Sequence, residues 1–159
     1  MTAKSRLLII GHAPSDNSQT LISCLQRGAT DPQVSDVTVN TYSPFDVNAE
    51  HLLAADALIL FSTENFGYMN GALKDLFERI YYPCLNDPVR NEATPYALVV
   101  KAGNDGTGAV NSIQRIVTGL QWKEAMPALI CKGEHQPHFE QQCIDYGLTM
   151  AASLDARIL

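Results

Sequence analysis

The segment 63–71 concentrates side chains that could bind a ligand, and it lies between an apolar run and an amphipathic helix pattern. Thr63, Glu64 and Asn65 offer hydrogen-bonding groups, and Phe66 offers a flat apolar face. The glycines that follow let the backbone turn sharply or approach a ligand closely. The segment alone is consistent with a cofactor-binding loop or with an ordinary turn between a strand and a helix.

The segment 12–20 is rich in hydroxyl and amide groups. Pro14 prevents an early helix, so a helix would begin with Asp16, Asn17 or Ser18 as its cap. The N–H groups and dipole of a helix N-terminus favour an anion, and phosphate is a common ligand there. The segment has no lysine or arginine, and it matches neither the Walker P-loop nor the GxGxxG pattern. A capped helix start without any ligand is the alternative. The side chains that could donate to an anion are Ser15, Asn17, Ser18 and Thr20.

Strand and helix patterns alternate along the chain, and they place both segments after strands. Strand patterns cover residues 6–11, 36–42 (an edge strand), the apolar run from 56, 96–101 and 126–131, and Pro127 is predicted to break the last of these early. Helix patterns cover residues 21–28, 48–53, from 71 onward, 110–120 and from 139 onward. Gly28 is predicted to end the first helix, and Gly147 is a predicted weak point of the last. The segment 83–95, with its prolines, is predicted to be a connection.

This alternation predicts a single α/β domain over residues 1–159, in which helices cover both faces of a parallel sheet. A doubly wound, three-layer sheet of five strands in the order 2-1-3-4-5 is favoured at this length. The order reverses between the first and third strands, so the loops after strands one, three and four meet at one crevice. The last of these is the glycine-rich turn 102–108. The meeting of three unusual loops favours a cofactor site.

The three loops resemble the flavin loops of the flavodoxin-like superfamily, in particular of its NAD(P)H-dependent FMN and quinone reductase branch. Residues 12–18 resemble the hydroxyl-rich phosphate loop S-x-S/T-G-N-T, and residues 63–75 resemble the T-P/R-x-x-G-x-x-x-G-x-x-K loop and helix. Residues 102–108 resemble the third, glycine-rich flavin loop. Element order is similar over almost the whole chain, so the resemblance implies a flavodoxin-like fold.

The resemblance also implies FMN as the cofactor and assigns residues to it. Ser15, Asn17 and Ser18 would hold the FMN phosphate, while His12 either donates to it or is an ordinary polar loop residue. The residues bordering the isoalloxazine ring would be Thr63, Glu64, Asn65, Phe66 and Gly67 on one side and Gly103, Asn104 and Asp105 on the other. The hydride chemistry belongs to the flavin, so no catalytic side chain is predicted.

The implied reaction takes hydride from NADH or NADPH and reduces a small-molecule electron acceptor, such as a quinone or a free flavin. Members of the branch usually form homodimers or homotetramers, so a homo-oligomer is expected. Tyr81 and Tyr82 would suit the subunit contact.

Two positions depart from the phosphate-loop pattern. Ala13 stands in place of the usual first hydroxyl, and Asp16 stands in place of a glycine. A carboxylate repels a phosphate dianion unless it points to solvent or caps the helix. A flavin-free binding protein on the same fold therefore stays open as an alternative. A flavodoxin-type carrier of single electrons between protein partners is a further alternative, which the acidic net charge suits.

The composition excludes several classes of partner. The net charge of -6 disfavours nucleic acid and anionic membrane surfaces. No stretch approaches the roughly 20 apolar residues of a membrane span, and the apolar run 7–10 is too short for a signal peptide. A cytoplasmic protein is therefore expected. The 4 cysteines are widely spaced without a CxxC pair, which predicts reduced thiols.

A metal site was weighed at His135 and His138, which have Glu134 and Glu140 as neighbours. The proline between the two histidines breaks the helical spacing that such a site would use. No metal is therefore expected.

Overall fold

One parallel sheet forms the centre of the computed structural model, which describes residues 3–159. Residues 1 and 2 of the predicted domain lie outside the described residues. The strands are β1 (Ser5–Gly11), β2 (Val37–Tyr42), β3 (Ala57–Thr63), β4 (Pro95–Ala102), β5 (Lys123–Glu124) and β6 (Leu129–Lys132). Their spatial order is β2-β1-β3-β4-β5, with β6 also paired to β4. The predicted order is confirmed, and β2 is an edge strand as expected.

The fifth position of the sheet is shared by two short strands. β5 pairs with Pro95 and Tyr96 at the beginning of β4, and β6 pairs with the residues from Val99 to its end. The strand predicted over 126–131, with an early break at Pro127, is present from Leu129 onward as β6, whereas β5 was not predicted. Pro127 lies between the two pieces, and a proline has no N–H group to donate to a sheet ladder.

Helices cover both faces of the sheet, and each layer buries its own apolar cluster. The helices are α1 (Asp16–Ala29), α2 (Ala49–Leu53), α3 (Gly71–Leu85), α4 (Pro88–Asn91), α5 (Thr107–Gly119) and α6 (Pro137–Asp155), with a 3-10 turn at Pro44–Asp46. α1 and α6 pack on one face, while α2, α3 and α5 pack on the other. Because both faces are covered, β3 is buried along almost its whole length.

The segment 83–95 is not the connection that its prolines predict. α3 continues through Pro83 to Leu85, because a proline in the last turn removes a single helical hydrogen bond while Cys84 still extends the buried stripe. Pro88 then begins α4, where a missing N–H group has no cost. α6 likewise begins at its own proline, Pro137, rather than near residue 139.

Two glycines let α1 and α6 pack backbone to backbone. A Cβ atom on Gly28 would lie 1.8 Å from the Ile144 carbonyl oxygen, and one on Gly147 would lie 2.1 Å from the Leu25 carbonyl oxygen. α1 ends at Ala29, one residue after Gly28 and close to the predicted end, and α6 passes through Gly147 without a break. The contact between the two helices, which gives both glycines their role, was not predicted.

Two further predictions concern the cysteines and membrane-spanning segments. All the cysteines are buried free thiols, as predicted: Cys24, Cys84, Cys131 and Cys143. None of the helices within residues 3–159 combines the length and apolar character that crossing a membrane requires.

Candidate functional site

The loops after β1, β3 and β4 lie together at the carboxyl edge of the sheet. Gly11 of β1 pairs with Phe61 of β3, and Thr63 of β3 pairs with Lys101 of β4, so the three loops begin at nearly the same level. The strand order reverses between β1 and β3, which is where open α/β sheets bind ligands. The predicted convergence of the loops is therefore present.

The first loop ends in the cap of α1. The Ser15 hydroxyl accepts a hydrogen bond from the Ser18 N–H group at 3.2 Å, and the two hydroxyl oxygens are 3.0 Å apart. Ser18 is only 2% exposed, so its hydroxyl supports the cap from inside, while Asn17 is exposed. The backbone N–H groups of residues 15–17 bond to no protein acceptor within residues 3–159. They are the donors that a helix N-terminus offers to an anion.

Asp16, the departure from the phosphate-loop pattern, is exposed in the first turn of α1. Its side chain lies on the flank of the helix, along a groove of about 440 Å³. The residues that line this groove are Asp16, Gln19, Thr20, Ser23, Cys24 and Arg27. The carboxylate is therefore free to face solvent, which reduces its repulsion of an anion at the helix end.

The second loop forms a tight hairpin. Asn65 donates its N–H group to the Tyr68 carbonyl at 2.8 Å, and Tyr68 donates to the Asn65 carbonyl at 3.0 Å. Phe66 (φ 54°) and Gly67 (φ 68°) occupy the two central positions with positive φ, as a type I′ turn requires. The Phe66 ring is fully exposed. A bulky residue in this conformation is uncommon, and such residues are concentrated at functional sites.

Buried hydrogen bonds and backbone contacts fix the position of the hairpin. Asn70 accepts the Leu73 N–H group at 2.8 Å as the cap of α3, and its own N–H group donates to the Ser62 hydroxyl at 3.0 Å. A Cβ atom on Gly108 would lie 1.9 Å from the Gly67 carbonyl oxygen, so the turn packs directly on the start of α5. The exposed hairpin tip is therefore placed by buried contacts.

The second and third loops are joined by a hydrogen bond. The Asn104 N–H group donates to the Glu64 carboxylate at 3.1 Å. Asp105 accepts the Thr107 N–H group at 3.0 Å and the Thr107 hydroxyl at 2.9 Å, and these bonds lower the pKa of the Asp105 carboxyl. Both carboxylates therefore organise the rim between the loops. Gly103 and Asn104 remain exposed beside it.

His12 contacts an aromatic residue that sequence reasoning missed. Its ring centroid is 5.7 Å from that of Phe45, which is 62% exposed in the turn after β2. Arg79 fixes this turn by donating to the carbonyl oxygens of Pro44 and Val47, both at 2.8 Å. The available signal is an aromatic residue that directly follows a serine and a proline, two residue types common in turns, since turn chemistry alone does not call for an aromatic ring.

Lys101, on the α1/α6 side of the edge, is a second residue that sequence reasoning missed. Its strand partner Thr63, a predicted site residue, has a buried hydroxyl without a hydrogen-bond partner among residues 3–159. The Lys101 ammonium group donates to the Gly133 carbonyl in the loop before α6. His135 in that loop is 3.2 Å from the Glu140 carboxylate through Nε2, and its Nδ1 atom is buried without a partner. Within residues 3–159, no group of three His, Cys, Asp or Glu side chains could hold a metal ion.

Known structures share this architecture. An archaeal flavodoxin has a TM-score of 0.77 and 17% sequence identity, with 94% of this chain and 98% of that chain covered. The flavodoxin of Streptococcus pneumoniae TIGR4 has a TM-score of 0.72, 15% identity and coverage of 94% and 99%. A "flavodoxin, WrbA-like protein" from Agrobacterium tumefaciens has a TM-score of 0.70, 12% identity and coverage of 98% and 99%.

These similarities show that the chain has a flavodoxin-like α/β fold. No protein-family model matches the sequence, and a search among curated proteins finds no match.

Proposed function

We propose that this protein is an FMN-dependent oxidoreductase that takes hydride from NADH or NADPH and reduces a quinone, a free flavin or a similar small acceptor. One observation carries the proposal: the three loops meet where the strand order reverses, with free N–H groups at one end and an exposed aromatic hairpin at the other. A phosphate group and a planar ring are the two parts of FMN that such an edge can bind.

The residues present fit FMN. The N–H groups at the start of α1, with Ser15 and Asn17, can hold the phosphate, and His12 lies at the same loop. The unpartnered Thr63 hydroxyl is a buried polar group that a ligand would satisfy. Phe66, 107% exposed, can cover part of a flat ring.

When bound, FMN supplies the hydride and electron transfer, and the protein supplies binding and orientation. The Glu64–Asn104 bond keeps the second and third loops together and so fixes the rim against which the ring would lie. Gly103 has open space where its Cβ atom would be, so a flat ligand can approach the backbone there. No side chain of the rim needs to transfer a proton for this chemistry.

The decisive experiment is an absorption spectrum of the purified protein before and after the addition of FMN and removal of the excess. Retained flavin bands are expected, followed by turnover of NADH or NADPH with a quinone in the absence of any other protein. A protein that retains no flavin from an excess would contradict the proposal and leave the flavin-free binding protein as the better account.

A flavodoxin-type electron carrier is the second candidate. The solved structures of similar fold include proteins called flavodoxins, and the net charge of -6 suits electrostatic contact with a basic redox partner. A protein that binds FMN but shows no turnover with NADH or NADPH until a partner reductase is added would be this carrier.

We also propose that the protein acts in the cytoplasm as a homodimer or homotetramer. Tyr82 is 71% exposed beside a groove of about 450 Å³ between α3 and α5. Tyr81 is half-buried and lines the same groove, with its hydroxyl against α5, where a Cβ atom on Gly119 would lie 2.4 Å away. Light scattering after gel filtration tests the assembly, and a monomer that fully binds FMN would contradict it.

The proposed cytoplasmic location has separate support. Free buried thiols throughout the described residues are consistent with a reducing compartment.

A further inference from the structure

We propose that Lys101 supplies the positive charge for an anionic phosphate group bound at the carboxyl edge of the sheet, beside Thr63. The inference rests on the proposed function for the identity of the ligand, which would be the phosphate of FMN. It identifies a cation for a loop that has none in its own sequence.

The register of the sheet places Lys101 close to the first loop. Thr63 and Lys101 are partners on adjacent strands, and they follow Phe61 and Val99 by two residues. Since Phe61 and Val99 both pack in the α1/α6 layer and side chains alternate along a strand, Thr63 and Lys101 face that layer too. The first loop starts at His12 on the other side of β3, at the level of these residues. Thr63 therefore lies between the first loop and Lys101.

The surroundings of Lys101 lack a counter-ion. Its ammonium group donates to the Gly133 carbonyl and lies 6.0 Å from the centroid of the Phe139 ring. Within residues 3–159, no carboxylate oxygen is within 4.0 Å of it. The side chain is half-buried, and a carbonyl uses only one of the three ammonium protons. The two remaining protons are available to an anion at this edge.

Two polar atoms on the same side of the sheet, one of them on the strand partner of Lys101, have no hydrogen-bond partner among residues 3–159. The Thr63 hydroxyl is buried and unbonded, as is Nδ1 of His135. The His135 ring centroid is 6.3 Å from the ring of Phe139, which Lys101 also approaches. Buried polar groups are nearly always hydrogen-bonded in native proteins. A phosphate oxygen can accept from both a hydroxyl and an ammonium group, so one ligand would account for both Thr63 and Lys101.

A purely structural role for Lys101 is the competing explanation, because its bond to Gly133 fastens the loop before α6 to β4. The two roles differ in what they do to phosphate recognition. If Lys101 is only structural, its loss should weaken every ligand of the site alike. If Lys101 binds the phosphate, its loss should weaken only ligands that carry a phosphate.

The test compares dissociation constants for FMN and for riboflavin, which lacks the phosphate, by flavin fluorescence quenching. Lys101→Met is expected to weaken FMN binding about 10- to 100-fold, the range of one charge-assisted hydrogen bond, and to leave riboflavin binding unchanged. Lys101→Arg should restore most of the FMN affinity. Lys132→Met is the matched control, since it removes the same charge from an exposed lysine next to Cys131, and it should leave both affinities unchanged.

Several outcomes would overturn the inference. It is wrong if Lys101→Met weakens both flavins equally, if Lys132→Met has the same effect as Lys101→Met, or if the wild-type protein binds both flavins equally. If Lys101→Met does not fold, Thr63→Val takes its place, with a several-fold loss of FMN affinity and unchanged riboflavin binding expected. An equal loss for both flavins would again contradict the proposal.

A failure of the proposed function can be distinguished from a failure of the inferred phosphate site. If the wild-type protein binds neither flavin, its thermal unfolding is measured in inorganic phosphate and in sodium chloride of equal ionic strength. Stabilisation by phosphate in the wild type and in Lys132→Met, but not in Lys101→Met, would keep the anion site and reject FMN as its ligand. No stabilisation of the wild type by phosphate would overturn the site itself.

Discussion

The α1/α6 layer and the carboxyl edge of the sheet differ in how closely they pack and in how well their polar groups are hydrogen-bonded. In the layer, helix backbones touch at Gly28 and Gly147, and the Tyr146 hydroxyl accepts from the Leu98 N–H group and donates to the Pro127 carbonyl at 2.9 Å. At the edge, buried polar atoms have no partner among residues 3–159, and Phe66 is exposed with an unfavourable positive φ.

This difference separates what stabilises the protein from what its proposed site requires. Close packing and satisfied hydrogen bonds make the layer intolerant of added atoms. The edge retains local strain and unpaired donors, which natural proteins commonly accept at functional sites. Substitutions in the layer should therefore change stability, whereas those at the edge should change ligand binding.

The largest effect is expected from Gly28→Ala. Its Cβ atom would lie 1.8 Å from a backbone oxygen of α6, and no rotamer change can relieve a contact between backbones. We expect a loss of about 3 kcal/mol or more in the free energy of unfolding, measured by urea denaturation. Gly71→Ala is the matched control, because nothing lies within 4 Å of its Cβ position. If the two variants are equally stable, the backbones of α1 and α6 are not in close contact at Gly28.

Alkaline pH should weaken the same layer. Burial raises the pKa of Tyr146 from 10.0 to about 12, so the folded protein retains a proton that the unfolded chain loses. The stabilisation is complete below pH 10 and is lost as the pH rises toward 12, by about 2 to 3 kcal/mol.

Tyr146→Phe provides the comparison, because it removes this titration while leaving the other tyrosines in place. The free energy of unfolding should fall less steeply with pH in the variant than in the wild type. Parallel curves between pH 9 and 11 would show that Tyr146 does not hold its proton more tightly in the folded state.

An intermediate effect is expected where buried structure supports the edge. Asn70→Ala removes the cap of α3 from a site that is 1% exposed and should cost about 2 kcal/mol. Asn48→Ala removes the same kind of cap from exposed α2 and should cost about 1 kcal/mol. Equal costs in denaturant titrations would mean that burial adds nothing to the Asn70 cap.

The smallest effect should have the opposite sign. Phe66→Gly relieves a positive φ and should stabilise the protein by about 0.5 to 1 kcal/mol, while FMN binding weakens severalfold. Ala93→Gly relieves a similar φ away from the edge and should stabilise the protein with unchanged FMN affinity. Thermal unfolding and flavin titration measure the two quantities. A Phe66→Gly variant with wild-type FMN affinity would remove the hairpin tip from the proposed site.

Periodicity and turn residues predicted the fold class, because buried strands and amphipathic helices leave a local signal, and the strand order was the one favoured for such an alternation at this length. The same signals located the three loops, whose polar and glycine content is local too. They were insufficient where the environment overrides propensity. Pro83 remains within α3 because its turn still packs, although the prolines of the segment predict a connection.

Only the tertiary structure could decide which distant groups meet. The glycines of α1 and α6 acquire their role from backbone contact across more than 100 residues of sequence, as Gly28 and Ile144 show. The position of Lys101 beside Thr63 follows from strand register, which depends on how β3 and β4 align. Sequence composition describes what each loop contains, but pairing and burial decide which of those groups remain free to bind.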